Sequence, residues 1–445
     1  MCSYLRTEPD INDDLGEQDF STLENAYAIL NQVVCAVRLS GFLSLANILA
    51  QESPTSERQT WIDRGYTTNL VFAVFRLGSH LSCVLNLPPL LRFEEFDLPF
   101  PPTNAAWNAS DEDWKRTLDD DPPHRTHGAF NYLTILALSR LSPVDRLKLP
   151  GYYTQQDFEL GLCTMQSRLW EETQCQRLSH ELAMGQSHLE LDEPRDKPAP
   201  FHGGFGQSWP VLLGIWRVTM EQFRRSPSRY SGVESEKEAY FTGITLYHAS
   251  LIRAHSDYSL IRRLAFALCE GSTPSNYIRQ WELNIQDWTR SHEIREALWH
   301  AAQIVRCFAD ETQTPDKRVG QDCIVTCVAT DCLFRAGLVI WVHVRSTMAC
   351  DLCGPTAAMP EDLHQRYCSN RDREAVELTT LDQSSRRYEN WLRRRGRSCV
   401  EGVLVCACRM PILLKRCCEL LRETTRNSNL LKRYLDIFET LMKHR

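Results

Sequence analysis

The segment TWIDRGYTTNLVFAVFRLGSHLSCVL, Thr60–Leu85, decides the fold. From Leu70 to Val84 it is apolar almost all round, and a helix without a water-facing side predicts a position at the centre of a bundle. The segments around it carry the same helical period. Leu23, Tyr27, Leu30, Val34 and Val37 form one stripe, with Ser21 and Glu24 as a capping-box start and Gly41 as a stop. Trp209, Leu212, Leu213, Trp216, Met220 and Phe223 form a second, Tyr277, Trp281, Ile285 and Trp288 a third, and Leu430, Tyr434, Ile437, Phe438 and Leu441 a fourth. No stretch reads as alternating strands joined by hairpin turns, so the expected class is all-α, a large multi-helix bundle.

A polar linker at residues 185–208, mixing acid, proline and lysine before the glycine-rich FHGGFG, divides the bundle into two helical halves. The expected organisation is a disordered acidic N-terminus at 1–18, one half at 19–184 and a second at 209–445. Shorter loops are expected at Leu118–His127 and Asp310–Val319, and a surface loop at Ala349–Asn370.

The 445 residues are 43% hydrophobic and 24% charged, ordinary for a soluble globular protein. The formal charge of -7 argues against a whole-chain polyanion binder. The start, MCSYLRTEPDINDD, is acidic and polar, unlike a secretory or mitochondrial leader. The longest apolar run, Ala336–Val344, follows Asp331 and Arg335 and reads as too short and too polar to cross a bilayer. An intracellular protein without membrane contact is expected. The eighteen cysteines then read as buried thiols, with Cys323, Cys327, Cys332, Cys406, Cys408, Cys417 and Cys418 in apolar helical pattern.

Downstream of Thr60–Leu85 lies LPFPPTNAAWNASDEDW, Leu98–Trp114. Pro99, Pro101 and Pro102 remove backbone donors and hold the chain extended, so Asn104–Ala109 is expected as a rigid arm that delivers Trp107 as an anchor. Ser110 with Asp111, Glu112 and Asp113 reads as a helix start that turns Trp114 inward.

This pattern resembles the regulatory middle homology region of fungus-specific transcription factors, in Leu98-Pro99-Phe100-Pro101, Trp107-Asn108-Ala109-Ser110 and Trp114. Thr60–Leu85 and the later REALWHAAQIVR, Arg295–Arg306 with Trp299 and His300, fit the same family, and the resemblance covers roughly Asp19–Phe308. It implies a nuclear protein, shuttling with the cytoplasm, that holds or releases activating surfaces in response to a partner or small effector. Pro99, Pro101, Trp107, Trp114, Trp299 and His300 would then be structural landmarks, and the transcription machinery or a DNA-binding partner the binding partner. A homodimer is compatible with the family, although no sustained heptad run supports one. Members usually begin with a zinc-bound DNA-reading module. Here Cys2 and Cys35 are the only cysteines before Cys83, so DNA contact would be indirect or through a module lost from or left out of this chain. The competing class is an all-α enzyme or small-molecule binder using a cavity between the halves.

Candidate chemistry is sparse, and neither an enzyme nor a cofactor is expected. Cys350, Cys353, His364 and Cys368 approach a zinc spacing, but Pro355 and Pro360 interrupt it and no cation lies between Cys353 and His364. A loop with incidental cysteines is favoured, and zinc is expected only if this cluster is real or a DNA-reading module lies outside the chain. Asp119–Asp121 with His124 and His127 read as a solvated turn, because Pro122 and Pro123 end any helix there. Gly203, Gly204 and Gly206 follow no strand and form no phosphate cradle. His300 reads as a satisfied core histidine. RRYENWLRRRGR carries Arg386, Arg387, Arg393, Arg394, Arg395 and Arg397 against one glutamate, a net +5 that suits a nuclear import signal or a solvated helix face.

Overall fold

A computed structural model of the chain describes residues 17–50, 57–95, 97–101, 104–110, 112–116, 154–187, 213–214, 216–218, 220–221, 233–271, 276–312, 325–346, 375–394, 397–424 and 429–443. These residues are all-α in class, with three short strands. The helices are α1 (Glu17–Leu39), α2 (Leu45–Ala50), α3 (Glu57–Leu85), α4 (Asn104–Trp107), α5 (Gln155–Ser187), α6 (Val233–His255), α7 (Tyr258–Cys269), α8 (Asn276–Arg290), α9 (Glu293–Thr312), α10 (Cys327–Ser346), α11 (Arg386–Arg394), α12 (Met410–Thr424) and α13 (Asn429–Lys443).

The central helix is α10, not α3. It packs against α3, α6, α7, α8, α9 and α12, and every residue from Val328 to Val342 is buried. Helix α3 lies one layer out, between α1 and α5, and keeps Leu70 and Leu77 nearly half exposed. Its apolar content therefore overstates its depth. By length and hydropathy both α3 and α10 could cross a membrane, which corrects the reading of the α10 segment as too short and too polar. In the fold, 67% of the qualifying window of α3 and 89% of that of α10 are buried against protein.

Among the described residues the large apolar core runs from Leu30 of α1 to Leu441 of α13, with a small second cluster at Cys399, Leu404 and Cys406. Helix α6 faces α5 on one side and α9 and α10 on another, while α12 and α13 close the far side of α10. Gly337 of α10 takes the ring of Phe438, and Phe334 stacks on Tyr434 with centroids 3.9 Å apart. A buried ion pair sits in this apolar surround. Arg335 Nε donates to Asp331 Oδ2 at 2.5 Å, Tyr434 donates its hydroxyl to Asp331 Oδ1 at 2.7 Å, and Arg335 also donates to the carbonyl of Cys83 on α3. With the Arg335 guanidinium over the Tyr258 ring at 4.6 Å, the Asp331–Arg335 pair ties α3, α7 and α13 to α10.

Several local expectations need correction. Helix α1 begins at Glu17, ahead of the Ser21 capping box, and ends as expected, with Gly41 at φ +72. The buried face of α8 carries Ile278 and Ile285, while Tyr277 is 70% exposed. In α13 the inward residue is Leu431, one place after Leu430. Cys332, Cys417 and Cys418 are buried thiols on helices, whereas Cys327 is exposed, Cys406 follows a strand and Cys408 is disulfide-bonded.

The strands, absent from the sequence reading, form one small sheet in the order β1 (Val376–Glu377), β2 (Ser398–Val400), β3 (Val403–Leu404), with β1 parallel and β3 antiparallel to β2. Glu401 and Gly402 make the turn at φ 50 and φ 75, and the Glu377 carboxylate accepts both of their N–H groups. That two-residue turn requires positive φ at both positions, and the glutamate compensates for the non-glycine residue in the first.

Candidate functional site

Among the described residues, two places are candidate sites. The first is the tryptophan arm. Leu98 and Phe100 are buried while Pro99 and Pro101 between and beyond them are half-buried, and Asp97 is held by backbone bonds to Leu43 and Leu45. Asn104–Trp107 is a helical turn, correcting the extended arm: the prolines all lie before Asn104, so none of them removes a donor from within the turn. Trp107 and Trp114 both pack on Trp61 of α3, with centroids 5.9 and 5.7 Å apart, and Trp107 meets Tyr66 edge-on at 4.9 Å. Gly65 leaves the space that the Trp107 ring fills. Ser110 caps the turn that carries Trp114, accepting the Asp113 N–H at its hydroxyl.

The second is a polar cluster inside the bundle, where α6 crosses α9. His248 and His255 stand seven apart on α6, two turns along one face; Glu293, Glu296 and His300 share a face of α9 at spacings of three, four and seven. His248 Nδ1 and His300 Nδ1 are 2.9 Å apart, and His255 Nδ1 is 2.5 Å from Glu293 Oε2. Glu296 Oε2 accepts the hydroxyl of Tyr388 from α11. The rings of His255 and His300 lie nearly parallel, 9° between planes, with centroids 6.2 Å apart. His300 has no exposed surface, and its Nε2 has no hydrogen-bond partner, so it is not the satisfied core histidine expected from its setting.

Burial pushes both His248 and His300 well below the ordinary histidine range, helped by the nearby Arg217 guanidinium. Each is neutral at pH 7. Glu293 is held below its usual value chiefly by the His255 hydrogen bond. Burial raises the Tyr388 hydroxyl, and the neighbouring Glu296 carboxylate raises it further, so Tyr388 stays protonated as a donor. Arg217 lies 5.8 Å from the ring centroids of Tyr247 and Trp299 and is paired with Glu221 at 2.9 Å.

The rest of α9 anchors this site. Trp299 Nε1 donates to the Leu381 carbonyl at 3.0 Å, Gln303 to Leu378 at 2.6 Å and Arg306 to Thr379 at 2.8 Å. Thus Trp299 is scaffold, and His300, its neighbour, faces the polar cluster. The other members were missed in the sequence, where the signal was the pair His248 and His255 on one helix followed by Glu296 and His300 one turn apart on another.

On α11, Arg386, Arg387 and Arg393 are exposed while Tyr388 and Trp391 face inward, as on a solvated basic face. Arg394 is helical, Arg397 half-buried, and Arg395 lies outside the described residues. Cys350, Cys353, His364 and Cys368 also lie outside them, as do Asp119–Asp121, His124, His127, Gly203, Gly204 and Gly206. No family model, curated protein or solved structure matches this chain.

Proposed function

We propose that this chain is an all-α regulatory and partner-binding domain of the fungal transcription-factor kind, nuclear in location, that acts on DNA through a partner or a separate reader. The observation that carries the reading is the aromatic clamp: the two stretches that bear the resemblance, Leu98–Trp114 and Thr60–Leu85, are joined by Trp61, Trp107 and Trp114. Trp299 and Trp114, both buried, serve as scaffold in this reading. The exposed arginines of α11 supply the charge that a nuclear import receptor reads.

The test fuses the full chain to a heterologous DNA-binding domain and follows a reporter and the location of the protein in fungal cells. Altered transcription by the fusion is expected, with loss of nuclear accumulation of the unfused chain when Arg386, Arg387 and Arg393 are replaced by Gln. A purified chain that selects a DNA sequence by itself, or a fusion that leaves the reporter unchanged, overturns the proposal. The competing small-molecule or enzyme reading is favoured by one feature, the buried polar cluster around His300.

A further inference from the structure

We propose that His255, Glu296 and His300 bind one divalent transition-metal ion of borderline softness, zinc or a close relative, between α6 and α9. The inference is independent of the regulatory reading and rests on the geometry of the cluster. One donor atom from each of the three residues lies within 4.8 Å of the others. Ligands at bonds of about 2.1 Å around a tetrahedral ion stand roughly 3.4 Å apart, so side-chain rotation of about an ångström closes the triad. Two imidazoles and a carboxylate suit zinc and its neighbours over the all-oxygen preference of calcium or magnesium, and three protein ligands leave a position open for water or a ligand.

The outer atoms of all three residues are already engaged. His300 Nδ1 meets His248, His255 Nδ1 meets Glu293, and Glu296 Oε2 meets Tyr388. Such second contacts orient metal ligands and fix their tautomers. If His300 donates its Nδ1–H to His248, its Nε2 carries a bare lone pair, and this is the buried nitrogen without a partner. Charge also balances, since Glu296 and Glu293 each bring one negative charge to a doubly positive ion. The nearby Arg217 is offset by Glu221.

The full chain, stripped with a chelator, is titrated with zinc by calorimetry and with cobalt(II) by visible absorption. One equivalent should bind, with the strong d–d bands of a four- or five-coordinate cobalt site and a rise in melting temperature. Glu296→Gln, close in shape and still able to accept from Tyr388, and His255→Ala should each weaken binding at least about 100-fold. Tyr388→Phe should weaken it about 10-fold or more through the second contact. Circular dichroism confirms that each variant is folded. The double variant Cys350→Ser/Cys353→Ser should bind as the wild type does. Failure of the folded wild type to bind, or undiminished binding in Glu296→Gln and His255→Ala, overturns the assignment, as does loss of binding only in the cysteine variant.

Discussion

His248 and His300 face each other in the interior, Nδ1 to Nδ1 at 2.9 Å, on two helices that cross at the heart of the bundle. One ring must donate and the other accept, so the acceptor must be neutral at Nδ1, and when both rings are neutral their tautomers are complementary. Protonating the acceptor ring removes the acceptor at the contact, and protonating the donor ring at its Nε2 puts a charge on a buried imidazole.

Acid should therefore destabilise the fold earlier than carboxylate protonation alone would. Both histidines titrate well below the ordinary value of 6.5 when folded, and near 6.5 when unfolded. The unfolded chain then binds the extra protons, so their stabilisation is complete above 6.5 and lost as pH falls from there toward the depressed folded values. Over the first unit below 6.5 each histidine removes about 1 kcal/mol, or about 2 kcal/mol together. Urea unfolding in the presence of a chelator measures this directly, and a flat profile across that window would contradict buried neutral rings.

The tryptophan clamp should respond to small changes on its α3 side. A methyl at Gly65 would stand 2.6 Å from the Trp107 ring, so Gly65→Ala must displace the indole and is expected to cost about 1–3 kcal/mol. Trp114→Ala empties a largely buried site and should cost about 3 kcal/mol or more, with Trp107→Ala milder because that ring is partly exposed. Denaturant midpoints rank the three. A neutral Gly65→Ala would mean the arm does not dock on α3.

Breaking the Asp331–Arg335 pair from one side strands a charge deep in the core. Arg335→Met is expected to cost about 3–5 kcal/mol, whereas the double replacement Asp331→Leu/Arg335→Met should cost less than the single change. A thermodynamic double-mutant cycle decides it: strictly additive losses would show that the pair is not coupled.

Thiol chemistry should divide by burial. Cys35 is exposed and free, whereas burial raises the thiols of Cys83, Cys163 and Cys332, and pushes that of Cys417 up to about 12. Brief alkylation of the native protein followed by peptide mass spectrometry should label Cys35 and spare the other four. Rapid labelling of Cys332 would place α10 at the surface.

The class and most of the helix faces were legible in the sequence because burial follows the 3.6-residue period: Leu30, Val34 and Val37 of α1, and Tyr434, Ile437, Phe438 and Leu441 of α13, point inward as their spacing requires. Depth was less legible. Thr60–Leu85 and Cys327–Ser346 are similar in hydropathy, and only the packing of six helices around the second makes it the centre. The sheet was hidden because β1 finds its parallel partner β2 across helix α11, and no turn links them directly. The polar cluster was hidden for a related reason. His248 and His300 are 52 residues apart, and each by itself is one histidine on an apolar helix.

The burial of α10 also sets a timing problem during synthesis. Its charged pair is completed by Tyr434, which lies 103 residues further along the chain. At 5–20 residues per second the ribosome needs roughly 5–20 s to deliver that tyrosine and the Phe438 ring that fills the Gly337 notch. For that interval the nascent chain displays a helix of membrane-like composition with an incomplete cover. Closure over α10 thus comes late in synthesis, because the residues that complete its cover, Tyr434 and Phe438, lie on the last helix of the chain.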